Sequence, residues 1–101
     1  QVDTGVYYEI PRFHSSPSLP SYDGAKKRFK ELLEASVQRR LVADVPLGSF
    51  LSGGIDSSVV ATLAARHKPD LHTFSIGFRD EKFFDETHYA QLVAHRIKSN
   101  H

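Results

Sequence analysis

Six residues within a seven-residue run have the types and spacing to do chemistry on a phosphate: Ser52, Gly53, Gly54, Asp56, Ser57 and Ser58, in the order S-G-G-I-D-S-S. The serines bring hydroxyls, the glycines let the backbone turn tightly and approach a ligand with no Cβ in the way, and Asp56 adds one carboxylate. Before the run, residues 46–51 (P-L-G-S-F-L) form a short, mostly apolar stretch of strand length; after it, residues 59–66 (V-V-A-T-L-A-A-R) keep apolar groups on helical spacing. The run is therefore a strand-to-helix turn, and the unpaired N–H groups of the helix's first turn point into the same concavity as the hydroxyls. A phosphate or pyrophosphate site is built this way. The plainer alternative is a Gly/Ser turn in which Asp56 caps a helix.

Other phosphate loops and nucleophile turns do not fit. A Walker A loop needs Lys after its last glycine, where this chain has Ile55, and no G-x-G-x-x-G occurs. A nucleophile elbow needs a serine with glycine at both second neighbours, which neither Ser49 nor Ser52 has.

The run S-G-G-I-D-S-S resembles the SGGxDS pyrophosphate loop of the N-type ATP pyrophosphatases, a motif shared by several ATP-dependent ligases. The longer stretch over residues 40–58, R-L-V-A-D-V-P-L-G-S-F-L-S-G-G-I-D-S-S, resembles the synthetase domain of glutamine-hydrolysing asparagine synthetases, a group with relatives acting on other carboxylates. Residues 74–78 (F-S-I-G-F) and 84–90 (F-D-E-T-H-Y-A) are similar to the second strand and following helix of that domain, and residues 5–11 (G-V-Y-Y-E-I-P) to the end of the glutaminase half.

The resemblance implies ATP and Mg²⁺ as cofactors. It places pyrophosphate on Ser52, Gly53, Gly54, Ser57 and Ser58, and adenine near Leu51, Ile76 and Gly77 at strand ends. Asp56 and Ser57 are the implied catalytic residues. A carboxylate repels pyrophosphate, so Asp56 needs a cation between them, and the implied role is as a Mg²⁺ ligand. The implied reaction activates the side-chain carboxylate of aspartate as a β-aspartyl-adenylate, which ammonia then converts to asparagine. The ammonia would come from a glutaminase domain; with no cysteine, these residues cannot supply its thiol nucleophile. A related ligase acting on another carboxylate, or a non-catalytic module that keeps the fold, stands as the alternative. With no apolar run of spanning length and no basic region followed by an apolar core at the amino end, a soluble, cytoplasmic protein is expected, with a possible homodimer at full length.

Around the loop, the pattern is that of an α/β chain. Residues 4–10, rich in Val, Tyr and Ile, are a strand candidate ended by Pro11, and residues 12–21, with Pro17, Pro20 and four serines, read as an extended linker. Ser21 or Asp23 can cap a helix with Phe29, Leu32, Leu33, Val37 and Leu41 at intervals of three and four, ending before Pro46. Residues 47–51 form the first core strand, a helix runs from near Asp56 to Pro69, and residues 71–78 form the second strand. In that second strand, His72, Phe74, Ile76 and Phe78 make the mainly apolar set. Asp85 caps a last helix with Tyr89, Leu92, Val93 and Ile97 as its buried stripe. Strand, helix, strand, helix predicts two parallel strands joined by a right-handed crossover. Two strands are an incomplete doubly wound parallel sheet, of the adenine-nucleotide alpha-hydrolase (PP-loop) type by the same resemblance. Residues 1–21 are read as the end of a preceding domain plus linker, and residues 22–101 as the amino-terminal part of the ATP-binding domain.

Composition bounds the rest. One hundred and one residues make one small domain, and a chain of that size buries about 60–65% of its unfolded surface. With 13 basic and 12 acidic residues there is no overall field to attract nucleic acid or an anionic membrane, and no apolar run has spanning length. His88 and His95, seven apart along one helix, are too far separated to chelate a metal together. Without a methionine and beginning at Gln1, the sequence is expected to be a segment of something longer.

Overall fold

The computed structural model describes residues 2–10, 20–78, 80, 83 and 85–101. Helix α1 spans Tyr22–Arg40. The Ser21 hydroxyl accepts from the Gly24 N–H at 3.2 Å, so Ser21 rather than Asp23 is the cap. Strand β1 (Gly48–Phe50) leads through the loop into α2 (Ile55–His67), β2 spans His72–Phe74 and α3 spans Thr87–Ile97. The strands pair in parallel with Gly48 opposite His72 and Phe50 opposite Phe74, as the strand, helix, strand order predicts. Both are shorter than predicted, although the ladder extends a step at each end: the His72 N–H donates to the Leu47 carbonyl and the Leu51 N–H to the Phe74 carbonyl. Beyond Phe74 the chain has no strand partner among the described residues, because β1 has already turned into the loop. A second parallel pairing begins on the far side of β2, where the Thr73 N–H donates to the Asn100 carbonyl at 2.7 Å and the Asn100 N–H to the Leu71 carbonyl at 3.0 Å.

Two apolar clusters hold these elements together. Val37 of α1 meets Leu63 and Ala64 of α2 and Leu71 at the start of β2, with Leu33 and Leu41 packed alongside. Leu51, Ala61, Ala90 and Ala94 form the second, with Val93 and Ile97 against it. Its alanines let α2 and α3 approach closely over the end of β1. His67 adds a polar link from α2 to α1, with Nε2 3.4 Å from a Glu34 carboxylate oxygen and Nδ1 3.3 Å from the Gln38 amide nitrogen.

Four expectations need correction. Residues 4–10 form no strand, since no described residue pairs with them. On α1 only the carboxyl-terminal half of the stripe is covered, and Phe29 and Leu32 are exposed. On α3 the buried side is Ala90 and Ala94 with Val93 and Ile97, whereas Tyr89 and Leu92 are exposed, because the small residues are the ones that fit against α2. Over the predicted second strand, residues 71–78, the buried residues are Leu71 and Thr73, and the mainly apolar set faces outward, with Phe74 53% and Ile76 70% exposed. The buried clusters lie on one sheet face, and no described helix covers Phe50 and Phe74 on the other.

Candidate functional site

The loop between β1 and α2 is held by its own serines. The Ser52 and Ser57 hydroxyls lie 2.9 Å apart, the Gly54 N–H donates to Ser52 Oγ, and the Ser57 and Ser58 hydroxyls both donate to the Gly54 carbonyl, at 3.2 and 2.6 Å. Gly54 is the N-cap of α2 and offers no side-chain cap. The Ser58 N–H donates to the Gly54 carbonyl, but those of Ile55, Asp56 and Ser57 meet no acceptor among the described residues. Three unpaired amides at a helix start, beside two hydroxyls, favour an anion through hydrogen bonds and the helix dipole.

The two glycines do different work. Gly53 has φ +85°, and a Cβ there would lie 2.5 Å from Tyr89 Cβ and 2.6 Å from the Ala90 nitrogen, so its bareness admits the amino end of α3. At Gly54 a Cβ would meet only Ser52 Oγ, at 3.4 Å. The space over Gly54 is open, and a phosphate could approach the backbone there. Asp56 is exposed in the first turn of α2, with no hydrogen bond or ion pair to any described residue.

A cavity of about 310 Å³ opens beside the loop at the carboxyl ends of both strands. It gathers Leu51, Ser52 and Ile76 from the predicted set and adds Phe50, Phe74 and Phe78. Leu51 is fully buried in the cluster between α2 and α3, and its N–H is used in the ladder, so its side chain serves the core. Ile76 is exposed on the cavity wall, and Gly77 lies against Thr87 and Asp85. A larger groove of about 860 Å³ runs between the three helices and reaches the loop through Ser58.

Glu86 and Thr87 also line the smaller cavity, a role that the sequence pattern did not assign to them. The only signal was the acidic pair ahead of an apolar helix, which reads equally well as a cap. Asp85 is indeed that cap: its Oδ1 accepts from the Thr87 N–H at 3.0 Å. The Thr87 hydroxyl first, and this N–H second, hold the Asp85 carboxyl below the usual carboxylate range against a small opposing effect of burial. His88 stacks edge-on with Tyr89, and among the described residues no group of three or more His, Cys, Asp or Glu side chains could hold a metal.

The asparagine synthase family model matches residues 28–101, the span that carries most of α1, the loop, both strands, α2 and α3. The chain belongs to the asparagine synthase family. It is 44% identical over 95 residues to a putative glutamine-hydrolyzing asparagine synthetase of Mycobacterium tuberculosis (strain H37Rv), covering 93% of this chain and 14% of that protein. A second putative glutamine-hydrolyzing asparagine synthetase, from Methanocaldococcus jannaschii, is 40% identical over 99 residues, with 94% and 18% covered. Asparagine synthetase 1 of Bacillus subtilis is 44% identical over 67 residues, with 66% and 11% covered. The chain thus spans about a seventh of the first of these relatives. Family membership and parallel strand pairing together give the α/β fold of the PP-loop type. No helix among the described residues is long and apolar enough to cross a membrane.

Proposed function

We propose that this chain is the pyrophosphate-loop part of a cytoplasmic enzyme that makes asparagine from aspartate and ATP, with ammonia released from glutamine elsewhere in a longer protein. Residues 22–101 would belong to the ATP-binding domain, and residues 1–21 to the end of a preceding domain and its linker. The observation that carries the reading is the loop itself: three unpaired amides and the Ser52 and Ser57 hydroxyls around an open backbone at Gly54.

In the proposed reaction the aspartate side-chain carboxylate attacks the α-phosphorus of ATP. The bond to the β,γ-pyrophosphate breaks, leaving a β-aspartyl-adenylate that ammonia converts to asparagine and AMP. As pyrophosphate leaves, its bridging oxygen gains charge. The N–H groups of Ile55, Asp56 and Ser57 and the loop hydroxyls would stabilise that charge, which would lower the barrier more than it tightens ground-state binding.

The donor set fits Mg²⁺ in part. Asp56 offers one free carboxylate at the same helix start, and Mg²⁺ is usually held by one or two carboxylates together with substrate phosphates and water. Asp56 would be the residue that holds the ion, which would supply positive charge to offset that of the departing pyrophosphate. Leu51, Ile76 and Gly77 would flank the adenine, Ile76 with its side chain and Leu51 with its backbone carbonyl.

The test is product analysis. The full-length protein with aspartate, MgATP and ammonia should yield asparagine, AMP and pyrophosphate in equal amounts. Formation of ADP and phosphate, or AMP only with a different carboxylate, would refute the asparagine reading.

A further inference from the structure

We infer that Glu86 reads the ribose of the nucleotide, so that the cavity beside the loop selects ribonucleotides over deoxyribonucleotides; this rests on the nucleotide reading of the loop proposed above. Among the residues that line this 310 Å³ cavity, Glu86 alone carries a formal charge. Its carboxylate has no hydrogen bond or ion pair to any described residue, while its neighbour Asp85 is occupied in capping α3. Glu86 is the N-cap residue of α3 yet makes no side-chain cap, so the helix leaves this carboxylate unused.

Charge sorts the ligand along the site. A carboxylate in the cavity disfavours phosphate there, and the unpaired amides at the start of α2 favour it on the loop. The apolar wall, with Phe74 and Ile76, suits the base. Covalent connectivity then puts the ribose between, near Ser52, Glu86 and Thr87, which line the cavity together. A carboxylate accepts from two vicinal hydroxyls at once, the same pairing by which an acidic residue holds a ribose in dinucleotide-binding folds. Position follows from packing: Tyr89 and Ala90 sit on Gly53, and Thr87 and Asp85 on Gly77, so the amino end of α3 is wedged between the loop and the exit of β2.

The experiment compares ATP, 2′-deoxyATP, 3′-deoxyATP and inorganic pyrophosphate as ligands of the full-length protein and of Glu86→Ala and Glu86→Gln. The wild type should prefer ATP to at least one deoxy analogue by about 10-fold or more, the usual yield of a hydrogen bond to a charged group. Glu86→Ala should weaken ATP by the same factor, leave that deoxy analogue and pyrophosphate unchanged, and so abolish the preference. Glu86→Gln, which keeps the size and one acceptor, should fall between, and it decides the matter if the alanine variant does not fold. An undiminished preference in the variants, or none in the wild type with pyrophosphate still bound, overturns the role of Glu86 alone. A wild type that binds neither ATP nor pyrophosphate overturns the nucleotide reading and this inference together.

Discussion

At the scale of single residues, Gly53 and Gly54 make opposite predictions although they are neighbours. Gly53→Ala forces a Cβ into the backbone of α3 at a positive φ, so it should cost about 2 kcal/mol or more of stability. Gly54→Ala has open space and an extended backbone (φ −66°, ψ 163°) that alanine tolerates, so its melting temperature should stay near the wild type. Its methyl group stands where a phosphate would approach, so pyrophosphate binding should fall. Paired melting curves and pyrophosphate titrations check both, and equal stability losses would count against the separation. Asp56→Asn removes a charge and keeps the shape. Asp56 makes no capping hydrogen bond, so the fold should survive the change, whereas a metal ligand would not. The full-length variant should fold normally and lose roughly 10²-fold in adenylation, about 2.7 kcal/mol. Wild-type turnover at limiting Mg²⁺ would contradict a metal-binding role for Asp56. The loop was legible in the sequence because its types and spacing are local. That Leu51 is fully buried was not, because burial depends on α3, which arrives 36 residues later, from Thr87 onward.

Among the elements, α3 is the one whose placement the sequence pattern described least well, and it braces the site. Periodicity marked an amphipathic helix but picked Tyr89 and Leu92 as buried, because a stripe can be drawn through large residues or through Ala90 and Ala94 with equal regularity. Only the partner decides, and α2 offers Ala61, which accepts small residues. The same holds for β2, where alternation identified two faces but not which one α2 and α3 would cover. The cap of α3 gives a pH prediction. Since Thr87 lowers the folded-state pKa of Asp85, the ionised carboxylate stabilises the folded state; this contribution is complete above the unfolded pKa and is lost as pH falls through the lowered folded one. Asp85→Ala should therefore lower the melting temperature near neutral pH, with a difference from wild type that shrinks in acid. Asp85→Asn, still an acceptor, should flatten the dependence. Thermal melts from pH 7 to pH 2 check this, and a difference that grows in acid would contradict it.

For the whole molecule, the parallel β1 and β2 pair and the Asn100 bridge give a sheet whose outer face, with Phe50 76% exposed, no described helix covers. The order of the elements was legible because helix caps and strand-length apolar runs are written locally, as at Ser21. The uncovered face was not, since nothing local says where a second layer packs. With Asp56 as the one free carboxylate at the start of α2 and no metal-binding cluster among the described residues, the 101-residue chain by itself should bind MgATP no tighter than millimolar, about −4 kcal/mol. Micromolar affinity by calorimetry would show that these residues suffice. The central claim is that the loop at residues 52–58 releases pyrophosphate from ATP when a carboxylate is activated. Exchange of labelled pyrophosphate into ATP by the full-length protein, with and without aspartate and in the absence of ammonia, tests it most directly. Label should enter ATP only when aspartate is present, and no label with any carboxylate, in a folded protein saturated with MgATP, would contradict it.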